Sequence, residues 1–72
     1  MEHQTNIEIT VNGEARRVTA GVTVADVLDA LGLTPERVAV ELNLSILPRA
    51  AWPATRLASG DRLEVVHFVG GG

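Results

Sequence analysis

Asn12-Gly13 lies between two stretches of alternating residues, and no other feature of the chain limits its fold as tightly. Both residues accept the positive φ that a two-residue type I′ turn demands, so the dipeptide predicts a β-hairpin. Upstream, from Gln4 to Val11, Ile7, Ile9 and Val11 fall on one face and Glu8 and Thr10 on the other. That period of two belongs to a strand covered on one side only. Glu14 to Thr19 returns as the second strand.

The next segment predicts a helix that needs such a sheet to lie on. Ala20-Gly21-Val22 breaks the strand, and Thr23 is a good N-cap. Asp26 stands three residues on, giving an approximate capping box and a charge suited to the positive end of the helix dipole. Val24, Val27, Leu28 and Leu31 recur as one apolar stripe, Asp29 faces outward, and Gly32 sits where a left-handed residue ends a helix. The helix should be about 8 residues long.

After a turn at Thr34-Pro35-Glu36, Val38, Val40 and Leu42 alternate with Ala39 and Glu41 in a third strand ended by Asn43. Ile46-Leu47 is a short strand piece that Pro48 confines to an edge. Arg49 to Leu57 reads as irregular or a single helical turn, and Ser59-Gly60-Asp61 turns into a last strand, Arg62 to Val69. Runs of strands around one helix imply an α+β fold, a mixed sheet of four or five strands with the helix across one face. A hairpin followed by a crossover helix lets the last strand lie beside the first, as in a ubiquitin-like β-grasp. A small, partly open barrel with a helical insert is the other architecture this order allows. The division is a folded domain over residues 1–69 and a glycine tail over 70–72.

Composition removes several functions. The 72 residues include no cysteine, which excludes disulfides, thiolate metal sites and a thiol nucleophile. A net charge of −3 argues against nucleic acid. No apolar run approaches the roughly 20 residues that cross a bilayer, and Glu2 and His3 do not begin a signal peptide. The expected compartment is the cytoplasm. All six basic residues are arginine, so this chain cannot accept an isopeptide bond on a lysine of its own. His3 and His67 are far apart and without companions at metal-ligand spacing, so no metal site is expected. Arg16-Arg17 reads as a solvated pair and Trp52 as a core plug under the sheet's edge. Arg49 either holds backbone carbonyls or faces a partner.

The candidate chemistry lies at the end of the chain. Gly70, Gly71 and Gly72 have no side chains and span roughly 10 Å, a thread able to enter a narrow cleft and present its carboxylate. An idle, frayed end is the alternative. Just upstream, Leu63 and Val65 share one face of the last strand, while Arg62, Glu64, Val66 and Phe68 share the other. If Leu63 faces the core, Val66 and Phe68 form an apolar docking patch on the open side of the sheet; twist or a bulge would bury them instead.

Several segments together carry a resemblance: Thr23-Val24-Ala25-Asp26-Val27-Leu28, Val40-Glu41-Leu42-Asn43, Leu47-Pro48-Arg49-Ala50-Ala51-Trp52, Ser59-Gly60-Asp61-Arg62-Leu63-Glu64-Val65, and Val69-Gly70-Gly71-Gly72. Through nearly its whole length the chain resembles the ThiS family, the ubiquitin-like β-grasp sulfur carriers of thiamine biosynthesis. The resemblance implies a carrier that is not itself an enzyme and binds no cofactor of its own. An E1-like adenylyltransferase would use MgATP to adenylate the carboxylate of Gly72. A persulfide donor would convert it to a thiocarboxylate, and thiazole synthase would accept the sulfur. Gly70 and Gly71 would thread the partner's cleft, and the free carrier would be a monomer.

The small subunit of molybdopterin synthase is a close alternative. This chain, however, is short between helix and third strand and lacks that family's aromatic-proline approach to the glycines. Another sulfur carrier, a ubiquitin-like protein modifier, and a binding module with an idle tail complete the set.

Overall fold

The hairpin forms where Asn12-Gly13 puts it. The structure, a computed structural model, describes residues 5–68. Strands β1 (Asn6–Val11) and β2 (Glu14–Thr19) pair antiparallel, with Val11 opposite Glu14 across the turn. Asn12 and Gly13 stand at φ 52° and 84°, both left-handed, as a type I′ turn requires.

Helix α1 (Val24–Ala30) is one residue shorter than expected. Its capping box is complete: the Asp26 amide donates to Thr23 Oγ1 (3.1 Å), and the Thr23 amide donates to an Asp26 carboxylate oxygen (2.9 Å). At the other end Leu33 N–H donates to the Leu28 carbonyl and Gly32 N–H to that of Asp29, both at 3.0 Å, with Gly32 at φ 74°. This Schellman closure takes Leu31 out of the helix as its C-cap. Leu31 still packs against the core, half-buried, beside fully buried Val24, Val27 and Leu28.

The remaining strands are β3 (Val38–Leu42), β4 (Ser45–Leu47) and β5 (Arg62–His67). All five make one sheet in the order β2-β1-β5-β3-β4. The last strand lies at the centre, parallel to β1 and antiparallel to β3. This is a ubiquitin-like β-grasp with five strands, and the barrel alternative falls away. One face of the sheet, through Ile9, Val11, Val38, Val40, Leu63 and Val65, buries itself against α1. Ile7, expected in the same layer, is only half-buried at its rim.

Of the two readings of the segment after Pro48, irregular or a single helical turn, the helical one holds: Arg49–Ala54 is a 3-10 helix that closes the end of the core. Trp52 is buried there, and its Nε1–H donates to the Leu47 carbonyl at 3.0 Å, which satisfies the one polar atom it brings inside. The Arg49 guanidinium lies over the Trp52 ring, 6.0 Å from its centroid. That contact locates a side chain the sequence left between two roles. Leu57 follows into the core, its N–H donating to the Val22 carbonyl at 2.9 Å. Among the described residues no helix is long and apolar enough to cross a membrane.

Candidate functional site: the open face of the central strand

Strand β5 is hydrogen-bonded along both of its edges. Thr10 N–H donates to the Asp61 carbonyl and Asn12 N–H to that of Leu63, while Asn43 N–H donates to Arg62 and Phe68 N–H to Arg37. Odd-numbered residues of β5 therefore bond toward β1 and even-numbered ones toward β3.

Strand β1 ends before β5 does. Asn12 continues the ladder with its side chain: Val65 N–H donates to Asn12 Oδ1 at 2.8 Å, and Asn12 Nδ2 donates to the Val65 carbonyl at 3.3 Å. A primary amide presents one donor and one acceptor in the same spacing as a backbone rung, so it stands in for a missing residue of β1. Asn43 does the same from the other flank, where its Oδ1 accepts from Arg62 N–H at 2.9 Å. Its Nδ2 donates to Asp61, whose second carboxylate oxygen accepts from the Ala58 amide and fixes the turn into β5. Two side chains thus hold the strand from which the tail departs. The last described bond on this path is Phe68 N–H to the Arg37 carbonyl, at 2.8 Å.

The side chains of β5 divide cleanly. Leu63 and Val65 are buried, at 0% and 9% exposure, while Val66 and Phe68 are 57% and 56% exposed. No bulge or twist buries the latter pair, so both stand on the open face immediately upstream of the glycines. Gly70, Gly71 and Gly72, the thread and the reacting carboxylate of the sequence reading, lie outside the described residues, as does Val69.

The register shows what else shares that face. Val66 lies opposite Ala39 on β3, and Glu64 lies opposite Glu41. Glu41 in turn faces Ile46 of β4, which is 78% exposed. An apolar rung, Ala39–Val66, thus sits above a rung of two carboxylates flanked by Ile46. Sequence reasoning found Val66 and Phe68 from alternation within one strand. It missed Glu41, Glu64 and Ile46 because their juxtaposition depends on the register of β3 with β5 and with β4.

Elsewhere the molecule offers less. A groove of about 510 Å³ runs between β2 and α1, floored by Val18, Val22, Val27 and Leu31. It lies on the helix side of the sheet, and a second cavity of about 330 Å³ shares its Arg16 and Leu31 and reaches Val65 and His67 of β5. Among the described residues no three of His, Cys, Asp or Glu are placed to hold a metal ion, and His67 is exposed on β5.

The ThiS family model matches residues 9–72 of this chain, which takes in the helix, the glycine end and all of the sheet but the first half of β1. The chain belongs to the ThiS family. The ThiS thiamine biosynthesis protein of Geobacter metallireducens, known from its crystal structure, superposes with a TM-score of 0.79 at 39% identity. That comparison covers 92% of this chain and 100% of the other. The sulfur carrier protein ThiS of Escherichia coli is 29% identical over 92% of this chain and its own full length. The thiazole synthase of Magnetococcus marinus is 44% identical over 66 residues, 92% of this chain. The chain spans only 20% of the length of that synthase, so the relative carries a ThiS-like segment within a much longer polypeptide.

Proposed function

We propose that this protein is a sulfur carrier for thiazole formation, working through the carboxylate of Gly72 and performing no catalysis itself. The observation that carries the reading is the family match running through residue 72, on a fold whose central strand is the last element before the glycines in the sequence. Free carboxylate is a poor electrophile, so activation must come from a partner. An E1-like adenylyltransferase joins the carboxylate oxygen to the α-phosphorus of ATP, held as MgATP, and pyrophosphate leaves. The terminal sulfur of a persulfide then attacks the acyl carbon and AMP leaves. A thiol cleaves the resulting S–S bond, becoming part of a disulfide itself and releasing the thiocarboxylate.

Thiazole synthase is the proposed acceptor. The Magnetococcus marinus relative supports this choice, since a protein of that name there includes a segment similar to this chain. The free carrier is proposed to be a cytoplasmic monomer, meeting MgATP and each enzyme in turn. Val66 and Phe68 are the proposed docking residues, with Gly70 and Gly71 in the partner's cleft.

The test is intact-mass analysis after incubation with the cognate E1-like enzyme, MgATP and a persulfide donor. One oxygen of the terminal carboxylate should be replaced by sulfur. Deleting Gly72, or adding a residue after it, should abolish that change while leaving stability almost unaltered. The acyl carbon must come within about 3–3.5 Å of its attacker, and one residue displaces it by about as much. A chain extended past Gly72 that forms a thiocarboxylate without trimming defeats the mechanism. Recovery as an amide conjugate of other proteins would make it a modifier instead.

A further inference from the structure

We propose that the open face of β5, β3 and β4 docks thiazole synthase, with one cationic side chain of that enzyme seated over Glu41 and Glu64. This rests on the sulfur-carrier reading and adds the contact chemistry of its acceptor.

Glu41 and Glu64 are direct cross-strand neighbours in the antiparallel β3–β5 pair. Like charges in that position oppose each other and weaken the sheet they stand on. By register Arg62 stands one rung from Glu64 on the same face. A partner that covered the face with apolar groups alone would bury two carboxylates with only the one charge of Arg62 beside them, which is unfavourable. A cation placed between them reverses both effects at once, and the guanidinium of arginine fits two carboxylates best.

The surroundings match such an anchor. Val66 and Phe68 rise on the tail side of the acidic rung, and Ile46 flanks it on the edge strand, all more than half exposed. An apolar border around one charged contact excludes water from it, the usual setting of an interface hot spot. The occupant follows from position and from the comparisons. Phe68 lies four residues before Gly72, so a protein seated here holds its reaction centre within roughly 13 Å of Phe68. The Magnetococcus marinus thiazole synthase carries its ThiS-like segment in the same polypeptide, which keeps the two surfaces at high effective concentration.

The experiment uses the full chain and the thiazole synthase of the same genome, with binding measured by titration calorimetry at low and moderate salt. Glu64→Arg and Glu41→Arg should each weaken binding by about tenfold or more and reduce its salt dependence. Either variant places opposite charges across the β3–β5 rung, so folding should be preserved or improved. Asp29→Arg makes the same change in net charge on α1, behind the sheet, and should leave affinity within about twofold. Glu64→Gln should raise the thermal midpoint slightly yet still weaken binding, a combination that a structural role for Glu64 does not produce. Wild-type affinity in Glu64→Arg, or equal losses in Asp29→Arg, overturns the proposal. So does a loss confined to the E1-like enzyme. A wild-type carrier that never passes sulfur to the synthase defeats the carrier reading itself. Sulfur transfer that survives Glu64→Arg undiminished defeats only the docking mode.

Discussion

The hairpin between β1 and β2 turns on Asn12 and Gly13, at φ 52° and 84°; that between β3 and β4 turns on Asn43 and Leu44, at 52° and 73°. In both, two residues close the strands, and in both the first turn residue is an asparagine whose side chain crosses to β5. The difference lies in the second position. Glycine is at home in the left-handed region, whereas a leucine there costs about 1–2 kcal/mol. Leu44 recovers little of that by burial, since it is 72% exposed. The second turn is therefore held by what surrounds it: the β3–β4 register, and Asn43 fastened to Arg62 and Asp61. Tertiary bonds override a local preference here, while in the first hairpin the two agree.

The comparison is broken most sharply at the asparagines. Asn12 satisfies both backbone groups of a buried residue, Val65, at the centre of the sheet. Asn12→Ala should destabilise by about 2–3 kcal/mol, because a donor and an acceptor lose their partners where water reaches them poorly. Denaturant unfolding gives the magnitude, and hydrogen exchange at the Val65 amide gives the location. A cost below about 0.5 kcal/mol would mean that water replaces the side chain freely and that β5 is not clamped from this side.

Asn43 holds an exposed site, where solvent can take over its bonds. Asn43→Ala should cost less, about 1 kcal/mol, including the lost tolerance of asparagine for positive φ. If the two substitutions cost the same, burial is not what separates the hairpins. Should Asn43→Ala prove the more damaging, the turn Ala58–Asp61 that it braces through Asp61 is the more important entry into β5.

These residues also mark what could be read from the chain. The first hairpin, the helix stripe with its Thr23 cap and Gly32 stop, and the alternation of β5 are local patterns, and each appears in the fold. The second hairpin was read only as a strand ended by Asn43 and a separate strand piece, because Leu44 carries no turn signal. Leu57 was missed as a core residue, since a backbone hydrogen bond to the Val22 carbonyl rather than any periodicity draws it in. The Asn12 clamp joins residues 53 positions apart, and the Glu41–Glu64 rung needs the β3–β5 register. Both are products of assembly. The glycine tail was legible as a motif, but the role proposed for its carboxylate gains meaning only from a partner's chemistry.

The smallest effect tests the comparison from the opposite direction, by making the second hairpin resemble the first. Leu44→Gly removes the steric conflict of a left-handed leucine, worth about 1–2 kcal/mol. Against this, glycine enlarges the conformational freedom of the unfolded chain, which costs about 0.4–1 kcal/mol. The leucine side chain, largely in solvent, contributes little packing to lose. The net expectation is a gain of about 0.5–1 kcal/mol, visible as a higher denaturation midpoint with an unchanged denaturant slope. Leu44→Asn should gain less, because asparagine tolerates this φ without glycine's freedom or its ease. A destabilised Leu44→Gly would show that the leucine contributes through contacts its exposure does not reveal. In that case the second hairpin is held by its side chain, and the agreement between the two turns is one of geometry alone.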